Sequence, residues 1–204
     1  MFMMLRRLLL VCALVMSAAV GIGIGLAVVH HVHPISEAQR VPIPSPTFQA
    51  TSSPTPAIAQ PVTLSIPKIH VTAPIETVGL DKDNNMDVPK QATDVGWYEY
   101  GPNPGDMGNS VIDGHLDWYT GPAVFWQLNQ LSPGDQITVT DTAHQSHVFV
   151  VTKKASYPYT QFPLNQVFGA TSGAHLNLIT CAGTFDKVAK NYSNRVVVYA
   201  DLKS

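Results

Sequence analysis

Cysteine is scarce in this 204-residue chain, which contains only Cys12 and Cys181. Charge is also sparse, since Asp, Glu, Lys and Arg make up 13% of the residues and no run of Lys or Arg exceeds two. Nucleic-acid-binding proteins normally carry a basic patch, so we expect no nucleic-acid partner. No His, Cys or Asp cluster has the spacing of metal ligands, so we also expect no metal and no cofactor. The hydrophobic fraction of 45% excludes a chain that is disordered throughout.

An uncharged apolar run covers residues 8–29. A helix of this length would span roughly 33 Å, enough for a bilayer core of about 30 Å. Arg6 and Arg7 precede the run and no Lys or Arg follows before Arg40, which places the N-terminus in the cytoplasm. We therefore predict a cytoplasmic stub and a transmembrane anchor over residues 1–29. A cleaved signal peptide is the alternative, although its apolar core is usually only about 7 to 15 residues long.

Residues 30–60 are rich in proline, serine and threonine and have too few apolar residues for a core. This composition predicts an extended stalk outside the cell membrane, with a plain disordered linker as the alternative. Residues 61–204 remain and suit one domain.

The pattern of residues 61–204 predicts a mainly β domain. Alternation of apolar and polar residues indicates strands at 63–71, 73–80, 109–115, 136–141, 146–153, 175–180 and 195–202. Pro67 interrupts the first of these and indicates an edge or a bulge. Apolar spacing predicts a helix over residues 122–131, and residues 165–168 suit a helical turn. Seven or eight closely spaced strands predict a closed or nearly closed barrel.

A turn at residues 81–87 (DKDNNMD) is similar to a calcium-binding loop. Such a loop needs Gly at its sixth position and Glu at its twelfth, where this chain has Met86 and Ala92. We therefore predict a hairpin turn and not a calcium site.

Cys181 is the single cysteine of the predicted outer domain, because Cys12 lies in the anchor. An unpaired cysteine in an exported domain indicates catalysis, an intermolecular disulfide or burial as a small apolar residue. Cys181 follows the apolar pattern in LNLITCAG, so we expect it at a strand end. A nucleophilic thiolate also needs a neighbouring base or cation.

Several residues could activate Cys181. The domain has five histidines, of which His115 is the best placed, because it ends a predicted strand and is followed by Asp117. We expect His144 and His147 to be solvated in a polar hairpin loop. Arg195 is the only arginine of residues 61–204 and could lie beside the strand of Cys181. Its alternative role is a surface charge at a strand edge.

Three motifs, in this order, resemble the sortases, which are membrane-anchored cysteine transpeptidases of Gram-positive bacteria. They are NSVIDGHLD with His115, LITCAG with Cys181, and NRVVVYA with Arg195. The stretches VPKQATDVGWY, GPAVFWQLNQLSPGDQITV and YPYTQFPLNQVFG are most similar to the class F sortases of actinobacteria. The resemblance covers nearly all of residues 61–204. It implies a sortase β-barrel of about eight strands with one or two short helices.

The resemblance also implies a mechanism. Cys181 would attack the carbonyl after the threonine of an LPXTG-like sorting signal and form a thioester. His115 would give a proton to the leaving amine and later take one from the incoming amine. Arg195 would hold the peptide and stabilise the oxyanion. We expect the acceptor amine to be a peptidoglycan precursor, so that surface proteins become attached to the cell wall.

Two other classes of function remain open from the sequence. A membrane-anchored cysteine peptidase would use the same Cys181 and His115 but release its product to water. A non-catalytic, tethered β-domain would bind a ligand and would not need Cys181.

Overall fold

Alternating apolar residues form the strands of this protein, whose computed structural model describes residues 58–204. The strands are β1 (Pro61–Ile66), β2 (Val71–Val78), β3 (Val95–Tyr98), β4 (Gly108–Gly114), β5 (Asp117–Trp118), β6 (Gly121–Pro122), β7 (Gln136–Asp141), β8 (Ser146–Pro158), β9 (Ala174–Asp186) and β10 (Asn191–Leu202). A single α-helix of the described part, α1, spans Leu164–Phe168.

The predicted anchor at residues 8–29 lies outside the described residues, as does the predicted stalk up to residue 57. Within residues 58–204, no helix is long and apolar enough to cross a membrane.

Eight of the strands form a closed barrel in the order β1-β2-β3-β4-β9-β10-β8-β7, in which β7 pairs back with β1. The pairs β2–β3 and β4–β9 are parallel, and the other neighbours are antiparallel. Strands β5 and β6 form a separate two-stranded ribbon. The prediction of a mainly β barrel with about eight strands is therefore confirmed.

Side-chain alternation divides the apolar residues between two faces of the barrel wall. On β9, Leu176 and Leu178 belong to the main core, whereas Ile179 belongs to a second cluster together with Val197 of β10. Because successive side chains of a strand point to opposite faces, the main core fills the barrel and the second cluster lies on its outer face. Helix α1 covers part of this outer face, since its buried Val167 belongs to the second cluster.

The prediction of a helix at residues 122–131 is wrong. Only Leu128–Gln130 is helical, and it forms a single 3-10 turn. The backbone N–H groups of Trp126, Leu128 and Leu131 donate to the carbonyls of Ala123, Phe125 and Leu128, three residues back. An α-helix would bond to the carbonyl four residues back, so the segment forms separate turns. The predicted apolar side is nevertheless buried, as Phe125 and Leu128 are fully inaccessible.

Residues 63–71 do not form the single strand that their alternation predicts. Strand β1 ends at Ile66, and a 3-10 turn over Pro67–Ile69 separates it from β2. Proline has no N–H to donate to a strand ladder, which accounts for the break.

Two other local predictions are confirmed. Residues 81–87 form a hairpin turn, in which Leu80 and Met86 form an antiparallel bridge and Asp81 accepts hydrogen bonds from the N–H groups of Asp83 and Asn85. The helical turn predicted at residues 165–168 corresponds to α1.

Candidate active site

Cys181 lies within β9 and not at its end, contrary to the prediction. The strand continues to Asp186 and pairs with β10 almost throughout. Its other neighbour, β4, ends at Gly114, and the last residue pair between the two strands is Asp113 with Ile179. Cys181 therefore sits where β9 loses one of its two neighbours, so that one edge of the strand is open to a ligand. The thiol is free and half-buried.

Arg195 lies directly opposite Cys181 on β10, in an unbroken register. Paired residues of neighbouring strands project to the same face of a sheet, so the guanidinium and the thiol share the outer face. The Arg195 side chain donates to the carbonyl oxygens of Tyr192 (3.2 Å) and Asn194 (3.0 Å) and to Oδ1 of Asn191 (2.7 Å). These three bonds fix the guanidinium beside Cys181, so it is not a solvated surface cation.

His115 follows the last residue of β4, and a buried hydrogen bond holds this point against β9. Thr180 Oγ1 donates to the Gly114 carbonyl at 2.7 Å. The residues that come next on each strand, His115 and Cys181, are thereby brought to the same end of the parallel pair. The structure thus brings together the three residues that the sequence predicts as the site.

The ring of His115 is fixed by two contacts. Its Nε2 lies 2.8 Å from the carbonyl oxygen of Pro89, and the ring packs at 4.7 Å from that of Trp118. A carbonyl can only accept a hydrogen bond, so Nε2 carries a proton. Nδ1 is then the ring nitrogen that can exchange a proton with a substrate.

The charges around Cys181 act in opposite directions. Burial raises the pKa of the thiol above its ordinary value, and the negative charges of Asp113 and Asp117 raise it further, while Arg195 lowers it. Burial and the two carboxylates therefore disfavour the thiolate, whereas the neighbouring Arg195 stabilises it.

Asp113 is a member of the site that sequence reasoning missed. Burial raises the pKa of its carboxyl group to about 6, although the charges of His115 and Arg195 lower it. The signal was present in NSVIDGH, because a residue two positions before His115 in a strand points to the same face. Asp113 therefore places a carboxyl group close enough to both His115 and Arg195 to interact with them.

Asp117 forms a definite contact that the sequence could not specify. Its Oδ2 accepts a 2.5 Å hydrogen bond from the hydroxyl of Tyr192 on β10, which raises the pKa of that phenol to about 12. This bond joins the segment after His115 to the hairpin that carries Arg195.

The other histidines lie away from Cys181. His147 was expected to be solvated, but its Nε2 is 3.0 Å from Oδ2 of the buried Asp141 and its side chain is only 15% exposed. His175 lies at the opposite end of β9, where it pairs with Asp201. Within residues 58–204, no three His, Cys, Asp or Glu side chains lie close enough together to hold a metal ion.

Comparison with protein families gives a match to the sortase domain over residues 64–203. This match confirms the family that the three motifs indicated. A search of curated proteins found no match.

Solved structures that are similar to this chain carry the same fold. Sortase C-1 of Actinomyces oris is 25% identical with a TM-score of 0.56, over 71% of this chain and 76% of that one. Sortase C1 of Streptococcus agalactiae is 21% identical with a TM-score of 0.55, over 70% and 67%. A lid mutant of sortase A from Corynebacterium diphtheriae is 21% identical with a TM-score of 0.56, over 74% of each chain. These are enzymes of classes C and A, so assignment to class F stays a prediction.

Proposed function

This chain belongs to the sortase family of cysteine transpeptidases, and we propose that it cleaves LPXTG-like sorting signals with Cys181 as nucleophile. The cleaved protein is transferred to an amine acceptor, which we propose to be a peptidoglycan precursor. The observation that carries this proposal is the direct pairing of Cys181 with Arg195, beside the strand end that bears His115.

In the first half-reaction, the Cys181 thiolate attacks the carbonyl carbon that follows the threonine of the signal. The carbonyl oxygen becomes an oxyanion and the C–S bond forms. The C–N bond then breaks, and protonated His115 gives its Nδ1 proton to the departing amine. The products are a thioester on Cys181 and a free peptide that begins with glycine.

Arg195 is suited to the oxyanion because its position is fixed before the substrate arrives. A guanidinium has five N–H donors, and three hydrogen bonds to Tyr192, Asn194 and Asn191 leave two donors without a partner among residues 58–204. Donors that are already oriented stabilise the oxyanion without reorganisation during the reaction.

The outer face next to Cys181 is apolar and suits the leucine and proline of a sorting signal. Val111, Ile179 and Val197 are already buried beneath it, so a peptide would contact the side chains that lie over them. The partly buried aromatic side chains that pack against this cluster are Tyr98, Tyr157, Phe162, Phe168 and Tyr199. Burial of apolar peptide side chains on this surface would stabilise the complex by roughly 25 cal/mol per Å².

In the second half-reaction, the acceptor amine attacks the thioester carbon and His115 takes a proton from its nitrogen. Attack by water in place of the amine would release a free acid. We propose that this chemistry takes place outside the cell membrane. The support is the sequence, in which the apolar run at residues 8–29 and the proline-rich residues 30–60 precede the catalytic domain.

The test is a reaction of the full-length protein with an LPXTG-type peptide, with and without triglycine, analysed by mass spectrometry. We expect a thioester adduct on Cys181, and a peptide–triglycine product when triglycine is present. Cys181→Ala should form neither, while Cys12→Ala, the matched control at the chain's only other cysteine, should form both.

Two results would contradict the proposal. Release of the free acid alone, at every triglycine concentration, would favour the peptidase. If Cys181→Ala still cleaved and transferred the peptide at the wild-type rate, Cys181 would not be the nucleophile.

A further inference from the structure

A cavity of about 520 Å³ opens beside Cys181 and is separate from the apolar outer face. Its lining includes Phe125 and Trp126, from the segment after β6, and Tyr192 of β10. Asn129 and Gln130 contribute neutral amide groups. The cavity therefore offers a carboxylate and amide groups, whereas the outer face is lined mainly by apolar and aromatic side chains.

The charge of this cavity is set by one residue. Asp117 is the only Asp or Glu among the lining residues, and none of them is Lys or Arg. Its Oδ2 accepts the hydrogen bond from Tyr192, and Oδ1 forms no hydrogen bond within residues 58–204. The hydroxyl of Tyr192 thus holds the carboxylate in place and leaves one oxygen for a ligand.

This carboxylate opposes the first half-reaction. Its charge contributes to the raised pKa of Cys181, so it reduces the fraction of thiolate available to attack the sorting signal. A negative charge at this position is favourable for a substrate that arrives as a cation. The acceptor is such a substrate, because an α-amino group is largely protonated at neutral pH.

We propose that this cavity binds the acceptor substrate and that Asp117 binds the ammonium group of its primary amine. This inference rests on the proposed function and adds the site and the recognition group for the second substrate. Asn129 and Gln130 would bind the amide groups of an acceptor that is a short peptide. The conserved part of an LPXTG-like signal brings no cation to the site, whereas an amine acceptor does, so the charge of the cavity distinguishes the two substrates.

The proton steps of the second half-reaction show where Asp117 acts. Asp117 binds the amine as an ammonium ion before the reaction. The ammonium then releases one proton to solvent, and the freed nitrogen lone pair forms the C–N bond of the tetrahedral intermediate. A second proton passes from this nitrogen to Nδ1 of His115. The C–S bond then breaks and its electron pair returns to the sulfur of Cys181 as thiolate.

Asp117→Asn in the full-length protein tests this role, because it removes the charge and keeps the size. We expect transfer to triglycine to fall about tenfold to a hundredfold, the range for a hydrogen bond to a charged group. Transfer to hydroxylamine, which is uncharged at neutral pH, should stay within about twofold of wild type on the same scale. The rate of thioester formation should not fall, because removal of the negative charge favours the thiolate.

Asp186→Asn is the matched control. Asp186 is exposed, lies on the same strand as Cys181 and is outside the cavity. This substitution removes the same charge at a position outside the cavity. It should therefore leave the ratio of triglycine transfer to hydrolysis unchanged.

A second measurement uses the wild-type protein and needs no variant. Added salt screens an ionic contact, so the KM for triglycine should rise with the concentration of sodium chloride. The rate of transfer to hydroxylamine should stay constant. If Asp117→Asn or added salt changed transfer to triglycine and transfer to hydroxylamine equally, the role of Asp117 would be overturned. The proposed function would not be affected by that result. Absence of any thioester in the wild-type protein would overturn the proposed function and, with it, this inference.

Discussion

The hydroxyl of Thr180 donates a 2.7 Å hydrogen bond to the backbone carbonyl of Gly114, and both residues are buried. This bond joins β9 to the end of β4. Cys181 and His115 are the next residues on the two strands, so the bond sets their relative position.

Replacement of Thr180 by valine should uncouple these strand ends, because valine keeps the shape of threonine but has no donor. We expect a loss of about 1 to 3 kcal/mol in the free energy of unfolding, the usual cost of a buried polar group left without its partner. The transfer rate should also fall, since His115 is no longer held beside Cys181. Urea unfolding and transfer to triglycine measure the two effects.

Thr180→Ser is the control for this prediction. It removes a methyl group but keeps the hydroxyl, so its transfer rate should remain close to wild type. An equal loss of rate in the serine and valine variants would show that packing, and not the hydrogen bond, is responsible.

Replacement of Arg195 by lysine should impair the enzyme nearly as much as replacement by alanine. The charge is retained, but a single ammonium group cannot replace a planar group that bonds Tyr192, Asn194 and Asn191 and still has donors for the substrate. Loss of one oxyanion donor typically costs about 10² to 10³ in rate. Single-turnover thioester formation is the measurement, with Arg40→Lys as the control outside the domain.

Turnover of Arg195→Lys near the wild-type rate would show that charge alone is sufficient. The assignment of Arg195 to the oxyanion would then be wrong.

Asp113→Asn should make the folded protein more stable than wild type at high pH. This difference in stability should disappear in acid. The pKa of Asp113 is raised to about 6 in the folded protein, from 3.8, so the folded state binds this proton more tightly than the unfolded chain. The stability linked to this proton is fully present below about pH 3.8 and is lost as the pH rises through about 6. The variant does not titrate here, so it should have the higher Tm at pH 8 and the same Tm as wild type near pH 4.

Comparison of the two proteins at each pH cancels the other titrating groups, which include Asp81 and Asp186 with lowered pKa values. A difference in Tm that is constant from pH 4 to pH 8 would mean that Asp113 is not the source of the effect.

A chain that begins at residue 58 should be more stable than one that begins at residue 61, although both should fold as soluble monomers. The carbonyl of Ile58 accepts a hydrogen bond from Nδ2 of Asn103, and that of Gln60 accepts one from the N–H of Thr142. Both bonds are lost in the shorter chain, and each contributes about 0.5 to 1.5 kcal/mol. Urea unfolding should show the difference. Identical midpoints would place the domain boundary at residue 61, and aggregation of either chain would contradict independent folding.

The sequence by itself determined the fold class and indicated three candidate site residues. Alternation of apolar and polar residues depends on nearest neighbours, so it is visible in the chain and marks β7, β8 and β10. Cys181 and Arg195 are each the single residue of their type in the predicted outer domain, which marked them as candidates without coordinates. The proline-rich segment and the apolar run at residues 8–29 were equally evident from composition.

Only the tertiary structure decided how these residues meet. His115 and Cys181 are far apart along the chain, and the parallel register of β4 with β9 sets their approach. The segment at residues 122–131 has a helical apolar pattern, but its later N–H groups bond to carbonyls three residues back, so it forms turns and not an α-helix. The carboxylates of Asp113 and Asp117 acquire their roles from burial and from cross-strand partners. Strand register and burial depend on residues distant in the chain, and local sequence patterns do not encode them.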